Sequence, residues 1–192
     1  MFVRLIACLA LFAPVLAGGA LAQQDATADL PRVGVDAPLP TVLRDVSELP
    51  EPAREKRQKL IEAAKTGDLE KLRLLMDAEE TPPSIALGDP GDPIEYLKAL
   101  SADADGREIL AILLEVLETG FVHVGAGTAD ELYVWPYFAQ YPLGALTSEQ
   151  LVELFTLLTA ADFEDMKAYG SYTFFRAGIA PDGRWLFFLA GH

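Results

Sequence analysis

The chain has 192 residues, 51% of them apolar and 23% charged, with 15 Lys and Arg against 29 Asp and Glu for a net charge of -14. The length suits one domain, and the apolar content supports a buried core, which excludes disorder of the whole chain. The acidic balance argues against nucleic acid and anionic membrane surfaces as partners, because Lys and Arg supply most of the attraction to both.

Residues 1–22, MFVRLIACLALFAPVLAGGALA, carry one positive charge at Arg4, an apolar run from Leu5 to Leu16, a Gly18-Gly19 break and Ala20-Leu21-Ala22. This is the layout of a cleavable secretory signal, with cleavage expected after Ala22 and a periplasmic destination. Leu5-Ile6-Ala7-Cys8 matches a lipobox locally, but Cys8 precedes most of the apolar stretch that should come before a lipidated cysteine. Cys8 is the single cysteine, so removal of the signal leaves no thiol for disulfides or nucleophilic chemistry.

From Gln23 to Pro52 the chain contains Pro31, Pro38, Pro40, Pro50 and Pro52 without a helical period. It reads as a tether over 23–52, with Val42-Leu43 as a segment able to dock on the domain. One domain is expected over 53–192. Leu60, Ala63, Ala64, Leu69, Leu72, Leu75 and Met76 recur at helical spacing, and Gly67 followed by Asp68 separates two helices as a hairpin. Arg54, Lys56, Arg57, Lys59, Lys65, Lys71 and Arg73 make this the basic end of the chain.

Thr81 to Pro93 is a proline-rich loop. Asp92-Pro93 then starts a helix through Leu100, with a cap followed by proline at the first helical position. Asp105 and Glu108 form a capping-box pattern for a helix from about Gly106 to Glu118, whose apolar residues leave only a narrow polar stripe. Phe121–Val124 and Leu132–Trp135 read as strands, and Thr147 with Gln150 starts a helix reaching about Thr159. Asp162 to Lys167 adds a helical turn or two. Strands over Tyr172–Ala180 and Arg184–Ala190 meet at Pro181-Asp182-Gly183, a hairpin turn. The expected class is α+β: a helical hairpin and core helices, then a small, largely antiparallel sheet with an inserted helix and a C-terminal hairpin.

Two resemblances follow from these stretches. KLIEAAKTGDLEKLRLLMDA, within residues 58–78, resembles a single ankyrin-like helical hairpin, although no Thr-Pro-Leu-His segment precedes it and no second copy follows at about 33 residues. KRQKLIEAAKTGDLE, GREILAILLEVLE, ELYVWPYFAQYPL and GIAPDGRWLFFLAG together resemble a family of uncharacterised exported proteins of α-proteobacteria. That second resemblance implies a periplasmic protein and brings no catalytic residue with it.

The places for chemistry are few. His123 and His192 are the only histidines, and no Gly-x-Ser-x-Gly elbow occurs. Between Leu74 and Met166 lie 18 acids against Lys98 and Arg107 alone. Ser101, Asp103, Asp105 and Gly106 imitate the first half of a calcium loop, making Asp103 and Asp105 weak metal candidates, but the twelfth position is Ile112 where a bidentate Glu belongs. Glu118-Thr119 superficially resembles the Glu-Ser signature of lytic transglycosylases, so Glu118 is a weak candidate for the acid of a carboxylate-dependent peptidoglycan hydrolase.

Aromatic residues are the least ordinary feature. Fifteen of the 18 follow Gly120, and Tyr133, Trp135, Tyr137, Phe138 and Tyr141 fall within nine residues. They read either as core or as a surface for a ligand or partner. The expected function is a non-catalytic periplasmic binding or interaction module without a cofactor, its partner an envelope protein or peptidoglycan.

Overall fold

A computed structural model describes residues 38–191 of the chain. The expected signal, the local lipobox at Cys8, the first part of the expected tether and His192 lie outside the described residues. The architecture is α+β, with six α-helices and a four-stranded antiparallel sheet among the described residues. None of the described helices is long and apolar enough to cross a membrane.

Helices α1 (Glu51–Lys65) and α2 (Glu70–Asp77) form the expected hairpin. Pro52 lies in the first turn of α1, where a missing N–H costs no hydrogen bond. At the far end the Thr66 hydroxyl donates to the Ala63 carbonyl at 2.6 Å, Gly67 turns the chain at φ 71°, and the Asp68 carboxylate accepts the Glu70 amide at 3.0 Å. Helix α3 (Pro93–Leu100) starts as expected, with the Asp92 carboxylate accepting the amides of Ile94 and Glu95. Ala53, Leu60, Ala63 and Ala64 of α1 are buried, and these mostly small residues let α4 (Arg107–Glu118) lie close against it. The Arg57 guanidinium ties the two together by donating to the Leu117 carbonyl at 2.7 and 3.0 Å, where the end of a helix offers unpaired carbonyls to a cation. Ile109, Leu110, Leu113, Val116 and Leu117 fill the centre of the molecule.

The start of α4 differs from the expectation. The cap is Asp103, not Asp105: Gly106 takes the left-handed conformation at φ 73°, and its bend brings the Asp103 carboxylate onto the amides of Asp105, Arg107 and Glu108 at 3.3, 3.0 and 2.9 Å. Ser101 also donates to Asp103 at 2.6 Å, while Glu108 accepts the Ala102 amide. A side chain at 106 is disfavoured by the backbone angle, and Leu69, whose Cδ1 would stand 2.3 Å from a Cβ, would have to shift to admit it.

Strands β1 (Val122–Val124), β2 (Leu132–Trp135), β3 (Arg176–Ile179) and β4 (Trp185–Leu189) form a meander in the order β1-β2-β3-β4. Helices α5 (Ser148–Leu157) and α6 (Ala160–Tyr169) are inserted between β2 and β3. Gly178 pairs with Phe187, whose ring lies across it so closely that a Cβ at 178 would stand 2.3 Å from a ring carbon. Along β4, Trp185, Phe187, Phe188 and Leu189 are all buried, as expected for a strand covered on both faces.

One isolated bridge flanks each side of the sheet. Leu43 forms an antiparallel bridge with Phe121, with N–O distances of 2.8 and 2.9 Å. Ser84 bridges β4 from the proline-rich loop, donating to the Leu186 carbonyl and accepting the Phe188 amide, each at 2.9 Å. The expected docking of Val42-Leu43 is thus present, and the boundary at 52/53 moves toward the N-terminus. Leu49 is buried and α1 begins at Glu51, so the last residues of the expected tether belong to the folded domain. Prolines there mark a helix start and an edge segment, both of which tolerate a residue without an N–H.

Candidate functional site

The aromatic segment is core, which corrects its reading as a ligand or partner surface. Strand β2 runs into a 3-10 helix at Tyr137–Gln140 across a cis Trp135–Pro136 peptide. Tyr133, Trp135, Tyr137 and Phe138 are all at most 4% exposed, and Tyr141 is half-buried against them. Phe121 packs on Trp135 at 5.0 Å between ring centroids and meets Tyr133 edge-on at 6.1 Å. Tyr137 packs on Phe138 at 4.1 Å and on Tyr141 at 5.8 Å. The physical reason is that a central strand flanked by β1 and β3 has helices or loops over both faces, so alternation does not bring its rings to solvent.

The weak metal candidates are corrected as well. The oxygens of Asp103 accept backbone amides and the Ser101 hydroxyl, which together hold its carboxyl well below the usual range, with the Glu108 amide the largest cause. Asp105 pairs with Arg107 instead of turning toward Asp103. Among the described residues no three His, Cys, Asp or Glu side chains are grouped to hold a metal ion.

Glu118 projects from the last turn of α4 with its side chain 52% exposed and 3.6 Å from the Lys65 ammonium. A general acid of this kind sits in an apolar, enclosed site, and Glu118 stands in neither. Glu118 lines a shallow depression of about 270 Å³ together with Glu115, Thr119, Glu153 and Thr156.

Glu153 is the centre of a polar cluster that no sequence spacing announces. Arg44 donates to both of its oxygens at 2.7 Å, Tyr137 donates its hydroxyl at 3.0 Å, and the Gly120 amide donates at 3.3 Å. The Arg44 guanidinium also lies 5.5 Å from the centre of the Tyr137 ring. Burial pushes the Glu153 carboxyl up, but Arg44, the Gly120 amide and Tyr137 together outweigh it and leave the group below its ordinary value. The same burial, with Glu153 beside it, pushes the Tyr137 phenol up. Arg44 precedes Glu153 by 109 positions and lies in the stretch read as a tether, which is why the pair escaped the sequence.

A pH dependence follows. A carboxyl whose value is depressed by folding stabilises the folded state above its unfolded pKa, about 4.3 for Glu, and loses that contribution as pH falls through the folded value. Asp162 and Asp182 are depressed in the same direction, by Thr159 and by Arg184 respectively. The urea midpoint should therefore be level from about pH 8 to pH 5 and fall below about pH 4. Glu153→Gln should cost about 1–2 kcal/mol at pH 7, with the exposed Arg44 contributing little of it, and should make the acid limb shallower. An acid limb identical in the variant would show that Glu153 is not coupled to folding.

His123 is on the exposed side of β1, with Nε2 2.7 Å from Glu131 and its ring stacked on Tyr133 at 4.5 Å. Glu131 also accepts the Gly127 amide at 3.0 Å. The histidine thus helps to close the loop between β1 and β2. On the outside of α5, Val152 is 70% exposed and Phe155 44%. Helical spacing places Phe155 on one face of α5 with Leu151, Leu154 and Leu158. The ring sits at the margin, edge-on to Phe163 of α6 at 5.9 Å. Compared with known proteins, the chain matches no family model, no curated protein and no solved structure.

Proposed function

We propose that the protein is a non-catalytic interaction module of the periplasm that binds an envelope protein or peptidoglycan. The observation that carries this reading is the outer face of α5, where Val152 and Phe155 stand in solvent one helical turn apart. Contiguous exposed apolar area on a soluble domain commonly marks an interaction site. The signal layout of residues 1–22 supports the compartment. Binding of this kind calls for no cofactor.

Affinity capture with the immobilised protein tests the reading, using envelope extract and, separately, purified peptidoglycan. One saturable partner, competed by free protein, is the expected result. Failure to retain anything above a heat-unfolded control would refute it. Incubation with peptidoglycan should release no muropeptides, and Glu118→Gln should leave that result unchanged, because Glu118 stands exposed beside Lys65 and not in an enclosed site.

A further inference from the structure

We propose that the outer face of α5 docks a cationic, amphipathic segment of a partner protein, with an apolar side chain on Val152 and Phe155 and Lys or Arg side chains in the adjoining acidic depression. This inference rests on the interaction-module reading and names its site and partner.

Helix periodicity puts Phe155, Val152, Thr156 and Glu153 in succession around the outward side of α5, while Leu154 and Leu157 point into the core. The two apolar residues therefore border the two that form one wall of the depression, and Glu115, Glu118 and Thr119 of α4 and its end form the other. Charge selects the occupant. Ser148 to Tyr169 contains Glu149, Glu153, Asp162, Glu164 and Asp165 against Lys167 alone, and a complementary partner is cationic. At one end of the depression Arg44 already occupies both oxygens of Glu153 and Lys65 stands beside Glu118, so among the described residues Glu115 is the lining carboxylate open to an incoming Lys or Arg.

A second copy of this chain fits poorly. Each copy carries a net charge of -14, so pairing two copies works against their mutual repulsion. A saccharide fits poorly too, because Phe155, the ring on this face of α5, has no polar edge.

The test uses a fluorescein-labelled amphipathic Lys/Leu helix as probe and a Glu/Leu helix of the same length as control, read by anisotropy at 20 and 200 mM NaCl. The Lys/Leu probe should bind, and more weakly by about tenfold at the higher salt. Val152→Ser with Phe155→Ser should weaken binding at least about tenfold without altering net charge. Leu74→Ser removes an equally exposed apolar residue on α2 and should change binding less than about twofold. Circular dichroism of each variant confirms its fold. Binding that survives the double substitution, equal loss in Leu74→Ser, or equal binding of the Glu/Leu helix would overturn the proposal. Displacement of the probe by soluble peptidoglycan fragments would overturn the protein assignment. The two readings also fail separately. If a captured envelope partner is retained equally by the double variant, this site is wrong and the module stands. If the probe maps to α5 but capture retains nothing, the site stands and the module reading falls.

Discussion

Trp135→Ala is expected to lower the unfolding free energy by about 3–5 kcal/mol, a large share of what a domain of this size possesses. Trp135 is fully buried on the central strand β2, packed on Phe121, and the space left by its indole is walled by sheet and loop residues that cannot all close in. The indole Nε1 is buried with no hydrogen-bond partner among the described residues, a donor that already costs the fold part of its stability. Trp135→Phe removes that donor while keeping most of the ring, so it should cost much less than the alanine change. Urea denaturation of both variants checks the pair. Near-wild-type stability in Trp135→Ala would return the aromatic segment to the surface reading.

The second large effect concerns Gly178. Valine at this position puts a branched side chain where the Phe187 ring lies, and the clash should cost about 1–3 kcal/mol. Phe187→Ala alone should cost about 3–5 kcal/mol by emptying the same space. Since the two residues are cross-strand partners, the double variant should be more stable than the sum of the single losses by at least about 1 kcal/mol. Strict additivity would mean that the ring does not cover the glycine in solution.

Local chemistry accounts for what was legible in the sequence. Asp92-Pro93 and the Thr147/Gln150 capping box start α3 and α5 as expected, because a cap works through hydrogen bonds reaching only three residues along the chain. Helix α6 is longer than expected for a related reason: Thr159 and Asp162 form a second capping box, and that spacing was readable but was absorbed into the end of the preceding helix. At α4 the readable spacing was Asp105/Glu108, and the left-handed Gly106 hands the role to Asp103 through backbone geometry that composition does not express. The site was harder. Whether Tyr133 to Tyr141 faced in or out depended on what covers β2, and Arg44 meets Glu153 only because Leu43 pairs with Phe121. Val152 and Phe155 gave little signal, since an exposed apolar pair on a helix has the same spacing as a buried one.

The two segments that bridge the sides of the sheet both stand early in the direction of synthesis. Leu43 precedes β1 by nearly eighty positions, and Ser84 precedes β4 by about a hundred. Each shield is therefore made, and emerges, before the strand it protects. A chain appearing N-terminus first, from a ribosome or through a translocation pore, carries both guards ahead of its last strand. The interval in which a naked edge could recruit a neighbouring nascent chain ends with folding of that final hairpin. Order along the polypeptide thus limits misassembly while the chain is being made.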